Sequence, residues 1–286
     1  MLRLMPTRLA QIYRFPVKGL RGEPLEATAL VAGQGLPYDR RFAVARGDTQ
    51  LDPAAPRWLP KQWFVMLMRD TALARLTCRL DTTAGTIVLH APGTAPCVAA
   101  FNTAAGRAQL ETYLNDCLGT RPEGRAHWVE CGAVSFTDVP QNCLSLVNLA
   151  SVRVLEGHMG TGLDPLRFRA NLYLDGVPAW DEFNWVGRDI RIGEVALRIP
   201  ARIPRCAATH VDPETGERSV NVVKGLRAAY GHYDMGVYAE VIHGGRVAIG
   251  DVVSPPGNPQ PRSGIGHWLR FFAFLARSAP IVLRRR

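Results

Sequence analysis

Short stretches in which apolar and polar positions alternate recur along most of the chain, broken by glycine and proline turns. Such period-two runs predict strands. Thr7 to Arg14 is the first, and it leads into Phe15-Pro16-Val17-Lys18-Gly19, a strand end followed by a turn. Pro24 to Val31 reads as a second strand. Gly33 and Gly35 mark a turn before Asp39-Arg40-Arg41-Phe42-Ala43-Val44-Ala45, a third strand that begins with charge. Prolines between Asp52 and Pro60 predict a loop, and Trp63 to Met68, Arg75 to Leu80 and Thr86 to His90 read as strand or mixed pieces. Helical spacing occurs once in this half. Ala108, Leu110, Tyr113, Leu114 and Cys117 share one face of a helix predicted over Ala104 to Leu118, with Gly119 as its stop.

After residue 126 the strands become shorter and more regular. His127 to Glu130 reads as a strand and Phe136-Thr137-Asp138-Val139-Pro140 as a loop. Leu144 to Val147 is apolar, and Asn148 is a good cap for a short helix to about Glu156. Phe168 to Leu174, Asp189 to Ile192, Ala196 to Ile199, Ile203 to Val211, Val220 to Val223, Val237 to Ile242 and Arg246 to Val253 all read as strands. Short strands between Gly and Pro turns favour a barrel or closed sandwich, so the expected class is β-rich α+β. There is no internal repeat, no low-complexity segment and no apolar run of about 18 residues to span a membrane.

Within this pattern Arg202 to Gly216 (RIPRCAATHVDPETG) is distinctive. Ile203 to Val211 predicts a strand with Cys206 in its middle and Arg205 beside it. Asp212-Pro213-Glu214-Thr215-Gly216 predicts a tight turn, and Glu217 to Val223 a returning strand. A thiolate held there, next to a cation, sits on a rigid frame.

Composition narrows the classes. The 286 residues, 47% hydrophobic and 21% charged, suffice for one large domain or two ordinary ones and carry no disorder signature. The six cysteines (78, 97, 117, 131, 143, 206) form no CxxC pair, which suits free thiols in a reducing cytosol. Arg3, Pro6 and Arg8 interrupt the first ten residues, so no secretory h-region is expected there. The net charge of +9 is uneven: the stretch 257–286 has six arginines and no acid, leaving only +3 for the rest. A nucleic-acid partner is therefore not expected. In that tail Trp268, Phe271, Phe272 and Leu275 would share a helix face opposite Arg270 and Arg277. Such a helix either lies peripherally on an anionic membrane or docks on the protein body.

Several of these stretches together resemble a known family. Pro204-Arg205-Cys206, Thr209 and Val211-Asp212-Pro213-x-Thr215-Gly216 look like the signature of the MOSC domain. Tyr13-x-Phe15-Pro16-Val17-Lys18 and Asp39-Arg40-Arg41-Phe42 resemble the paired signatures of the family's N-terminal β-rich domain. Phe168-Arg169-x-Asn171, Trp180-Asp181-Glu182 and Gly250-Asp251 fall in the family's order, so the resemblance covers roughly residues 7–254. It includes the mitochondrial amidoxime-reducing components and bacterial relatives. The resemblance implies an N-terminal β-rich domain (1–125) packed on a MOSC β-barrel (126–256), followed by the tail (257–286). It also implies a molybdenum-cofactor-dependent oxidoreductase that reduces small N-hydroxylated or N-oxygenated compounds. The alternative is a carrier of the cofactor, or of sulfur, without that activity.

In that family molybdenum is held by the dithiolene of a pterin, molybdopterin, by oxo groups and by one protein cysteine. The resemblance assigns that place to Cys206, as metal ligand and catalytic residue; a soft thiolate suits it. It assigns the cofactor phosphate to Lys18, Arg40 and Arg169, and further cofactor contacts to Asn148, Asn171, Arg205 and Thr209. Pyridoxal phosphate binding also accompanies the family, and no residue is assigned to it. No module with clustered cysteines follows, so electrons are expected from a separate protein of ferredoxin, flavoprotein or cytochrome type. The chain departs from its relatives at Gly19, where many carry Ser, at Ala170, where Pro is common, and at Asp52 to Pro60, where a Thr-Gln loop is usual. Residue chemistry alone leaves alternatives: Cys206 and His210, four apart on a strand, would share a face as a zinc pair or a Cys–His dyad. Asp138 and Asp212 read as turn and capping residues.

Overall fold

The computed structural model describes residues 7–49, 58–132 and 135–257. The predicted C-terminal helix and most of the predicted Asp52 to Pro60 loop lie outside the described residues. The chain opens with β1 (Arg8–Arg14), β2 (Glu23–Leu25), β3 (Ala27–Leu30) and β4 (Phe42–Ala45). Next come β5 (Thr77–Asp81), β6 (Thr86–His90), β7 (Cys97–Ala100), α1 (Ala104–Leu118) and β8 (His127–Glu130). The second half holds β9 (Leu144–Asn148), α2 (Leu149–Met159), β10 (Leu172–Asp175), β11 (Asp189–Ile192) and β12 (Val195–Arg198). It ends with β13 (Arg202–Pro204), α3 (Val222–Tyr230), β14 (Asp234–His243), β15 (Gly245–Ala248) and β16 (Val253–Ser254).

A nine-stranded curled sheet dominates, in the order β16-β11-β12-β14-β9-β10-β1-β2, with β13 added to β14. All its pairs are antiparallel except β9 with β10, and α2 supplies the crossover that a parallel pair needs. In β1 a register shift between Leu9 and Gln11 lets Leu9 and Ile12, three apart, both turn inward. They join Leu146, Leu174, Leu197 and Val237 in the barrel core. A fully buried Leu or Ile of this kind contributes about 1.5–3 kcal/mol. A second core, around Phe42, Leu73, Leu89, Leu110 and Trp128, lies between α1 and the small sheets β5-β6-β7 and β4-β8, and Val211 from the second half is part of it. The fold is thus β-rich α+β, as the strand pattern predicts.

Three predictions are corrected. Ile203 to Val211 is not one strand: pairing stops at Pro204, and Ala207–His210 is a 3-10 turn with Cys206 at its N-cap. The Thr209 hydroxyl and N–H both donate to the Cys206 carbonyl, which closes the turn. Glu217 to Val223 is not a returning strand either. Only Val211 and Arg218 make a bridge, and Val222 opens α3, capped by the Asn221 side chain on Lys224 N. The Val222-Val223 pair looks like a strand locally, but Val222 and Leu226 are a helical i, i+4 pair buried against α2. Finally, Phe168 to Leu174 begins as a 3-10 turn, Pro165–Phe168, and turns through a left-handed Arg169 (φ 50°) before β10.

Candidate functional site

Two segments that are far apart in a strand diagram run side by side at the centre. Arg40 N donates to Phe15 O (2.7 Å), Phe42 N to Pro16 O (3.0 Å) and Lys18 N to Phe42 O (2.8 Å). Buried Asp39 seals the pairing by accepting from Phe15 N at 2.8 Å. Both side chains then reach the second half of the chain, Lys18 at Asp138 and Arg40 at Arg169 and Asn171.

Arg40 is left-handed (φ 48°), and so is Arg169. Both guanidinium groups lie on the Phe15 ring, 4.6 and 4.5 Å from its centroid. Their partners differ sharply. Arg40 donates to Asp39, to the Arg169 carbonyl (2.7 Å) and more weakly to Asn171 Oδ1 (3.4 Å). The Arg169 guanidinium has no acceptor among the described residues. Burial, then the nearby Arg40 charge, pushes it down to about 10. Two adjacent cations on one ring, one of them without an acceptor, make a site that favours an anion.

On the other side, Lys18 Nζ donates to Phe136 O and to Asp138 Oδ1, both at 2.8 Å. Burial lowers the Lys18 pKa against the pull of Asp138. The Lys18 charge in turn holds the Asp138 carboxyl well below its usual range, with Lys61 adding to it. So Asp138 is more than a turn residue. The Trp58 indole N–H donates to Thr137 O (2.9 Å) and ties the Lys61–Trp63 turn to the same loop. Lys61 is coupled through its charge to Cys206 and Asp138. Burial works against its charge, but Cys206 and Asp138 outweigh that and raise its pKa above the ordinary lysine value.

Two cations therefore act on Cys206, Lys61 and the neighbouring Arg205. Arg205 donates through Nε and Nη2 to Met235 O and through Nη1 to Phe168 O, so it fastens the residue before Cys206 to its neighbours. Two more expected cofactor contacts are also spent on the protein. Asn148, wholly buried, accepts from Ala150 N and donates to Pro178 O and Glu182. Thr209 has committed its proton to the Cys206 carbonyl. Asn171, also buried, joins Ser145, Tyr13 and Arg40 and orients the last of these. The shared-face argument for Cys206 and His210 lapses with the strand, and no group of three His, Cys, Asp or Glu side chains suited to a metal exists among the described residues. Asp212 does cap its turn, accepting from Glu214 N and Thr215 N, and it pairs with buried Arg167 as well.

Lys61 carries no sequence signal: it follows a proline-rich loop and looks like a solvated lysine. Asp138 reads as a turn residue in the sequence because its partner Lys18 is 120 positions away.

Residues 6–130 match the MOSC N-terminal beta barrel domain and residues 133–254 the MOSC domain. Among curated proteins, the chain is similar to the molybdenum cofactor sulfurases of Drosophila mojavensis (24% identity over 257 residues, 82% of this chain) and Anopheles gambiae (27% over 273, 81% of this chain). It spans only 32% and 34% of their lengths. Among solved structures it is similar to the YUAD protein of Bacillus subtilis (TM-score 0.41, 14% identity, covering 87% of this chain and 94% of that one). It is also similar to YiiM of Geobacillus stearothermophilus (TM-score 0.32, 14% identity, covering 47% and 64%). The paired N-terminal signatures, the Cys206 turn and the two domain matches in order make this chain a member of the MOSC family, with the N-terminal β-barrel domain that accompanies it.

Proposed function

We propose that the protein binds the molybdenum cofactor through these residues and reduces small N-hydroxylated or N-oxygenated compounds with electrons from a separate protein. The observation that carries the reading is the unpaired Arg169 guanidinium beside Arg40 on the Phe15 ring. The donor set fits the group: two arginines and Lys18 for a phosphate, and one thiol for a soft metal. Bound there, the cofactor supplies two-electron oxygen-atom chemistry. The protein's own part is to hold and orient. Arg40 and Arg169 grip the anionic end, Cys206 is kept in place by the Thr209 bonds to its carbonyl, and Lys61 keeps a positive charge at the sulfur. Asp138 holds Lys18 by a hydrogen bond and favours the charge on Lys61. The likeness to molybdenum cofactor sulfurases favours a second reading, in which the site carries the cofactor, or sulfur on Cys206, without reducing a small substrate.

One set of variants separates these. Cys206→Ala is expected to fold normally, keep some pterin, and lose molybdenum and benzamidoxime reduction with an artificial donor. Conservative replacement of the other five cysteines should keep activity. Undiminished turnover in the alanine variant removes Cys206 from the mechanism. A molybdenum-loaded wild type that reduces no N-oxygenated compound leaves the carrier reading in its place.

A further inference from the structure

Residues 218–233 contain no Asp or Glu and carry Arg218, Lys224 and Arg227. Most of this stretch is α3, which buries Val222 and Leu226 and exposes Lys224 and Arg227. The helix packs on the 3-10 turn that starts at Cys206. Past its end the chain bends through Gly231 to Tyr233, whose carbonyl accepts Arg205 N–H at 2.9 Å, one residue before Cys206. Tyr233 is 37% exposed, and its ring lies 5.4 Å from the Arg227 guanidinium, which donates to its hydroxyl. Tyr230 and His232 stack alongside, with ring centroids 5.9 Å apart. Arg218 is spent on the Met68 carbonyl, but no ion pair neutralises Lys224 or Arg227 among the described residues.

We infer that the exposed face of α3, with Arg227 and Tyr233 at its end, is the docking surface for an acidic one-electron carrier protein that feeds the Cys206 site. The inference rests on the reductase reading. Uncompensated cations steer an acidic partner and set its on-rate. Tyr and Arg are the residue types that anchor protein interfaces. The position also serves the chemistry, since the exposed Tyr233 is one backbone hydrogen bond from the residue preceding Cys206. Reduction of one N-hydroxyl group takes two electrons, from two docking events of a reduced carrier, and two protons from water. The N–O bond breaks, an N–H bond forms, and water leaves.

The test uses the cofactor-loaded full chain as wild type, as Lys224→Glu/Arg227→Glu and as the milder Lys224→Gln/Arg227→Gln. A plant-type [2Fe–2S] ferredoxin is the acidic probe. Calorimetry of ferredoxin binding at low and high salt should show about tenfold weaker binding for the reversed variant, with most of the salt dependence gone. Benzamidoxime reduction should lose about tenfold in kcat/KM with reduced ferredoxin and stay unchanged with dithionite-reduced methyl viologen. The neutral variant should fall between. Ferredoxin binding that the variants leave intact overturns the inference, as does a wild type that binds no ferredoxin or binds only anionic vesicles. Equal losses with both donors also overturn it, because they place the defect in the site. If neither donor supports reduction but ferredoxin binding still depends on Lys224 and Arg227, the surface stands and the reductase reading falls.

Discussion

Arg40 and Arg169 are left-handed residues without being glycine, a conformation that costs about 1–2 kcal/mol and persists where surroundings enforce it. Arg169 also carries a partly buried charge with no acceptor and a like charge beside it. Its cost to the apo fold and its use to an anion therefore point in opposite directions. Arg169→Gly should leave the melting temperature unchanged or raise it, because relief of strain and repulsion offsets the added freedom of the unfolded chain. Pterin retained on purification should nevertheless fall about tenfold. Full retention in that variant means Arg169 is not an anchor. Lys61→Ala is the companion experiment. It removes a positive charge that acts on Cys206, so molybdenum per chain should drop about tenfold or more while folding is unaffected. A drop no larger than that of a surface lysine would make Lys61 a bystander.

At the scale of elements, the barrel and α2 are joined through a buried carboxyl. Glu182 is fully buried and accepts from Ser151 Oγ and Asn148 Nδ2, the first on α2 and the second at its cap. Burial raises its pKa, and those two donors only partly offset the rise. A carboxyl with a raised folded pKa binds more protons folded than unfolded, so its contribution to stability is full below the unfolded pKa and is lost as pH rises through the folded one. Stability should therefore decline from mildly acidic pH toward neutrality. Glu182→Gln should flatten that slope, measured by denaturant unfolding at several pH values. A slope unchanged by the substitution assigns the pH dependence to other groups. The same element contains the Asn148 cap, which the sequence pattern predicted with the helix it starts. A capping side chain is read from local sequence because its partner, Ala150 N, is two residues away. Its second role, donating to Glu182, has no local signal.

For the whole molecule, the family boundary near residue 130 is not a boundary in the sheet. β1 and β2 extend the barrel sheet through β10, and β3 pairs with β15. Val211 from the second half is buried in the first half's core. The chain should then unfold in a single cooperative transition, and a fragment of residues 133–254 should be unfolded or aggregated because β10 and β15 lose their partners. Two separated thermal transitions, or a soluble fragment with native near-UV dichroism, would contradict this shared core. Among the described residues no helix is long and apolar enough to cross a membrane.

What the sequence determined by itself was whatever short-range physics decides. β1, α1 with its Gly119 stop, β8, the Asn148 cap and the Asp212 turn all depend on period, propensity or side-chain bonds to residues a few positions away. The family motifs named Cys206, Lys18, Arg40 and Arg169 as a group, because their order along the chain is itself a pattern. Tertiary structure decided what those residues touch. Pro204 and the Thr209 bonds turned an apparent strand at Cys206 into a 3-10 turn, and burial against α2 made Val222 the start of a helix. Folding added Lys61 to Arg205 as a cation acting on Cys206, and it gave Arg205's hydrogens to the carbonyls of Phe168 and Met235, which only the folded chain brings near it. A charge's role is set by the neighbours that remain unsatisfied after folding, and those neighbours come from distant parts of the chain.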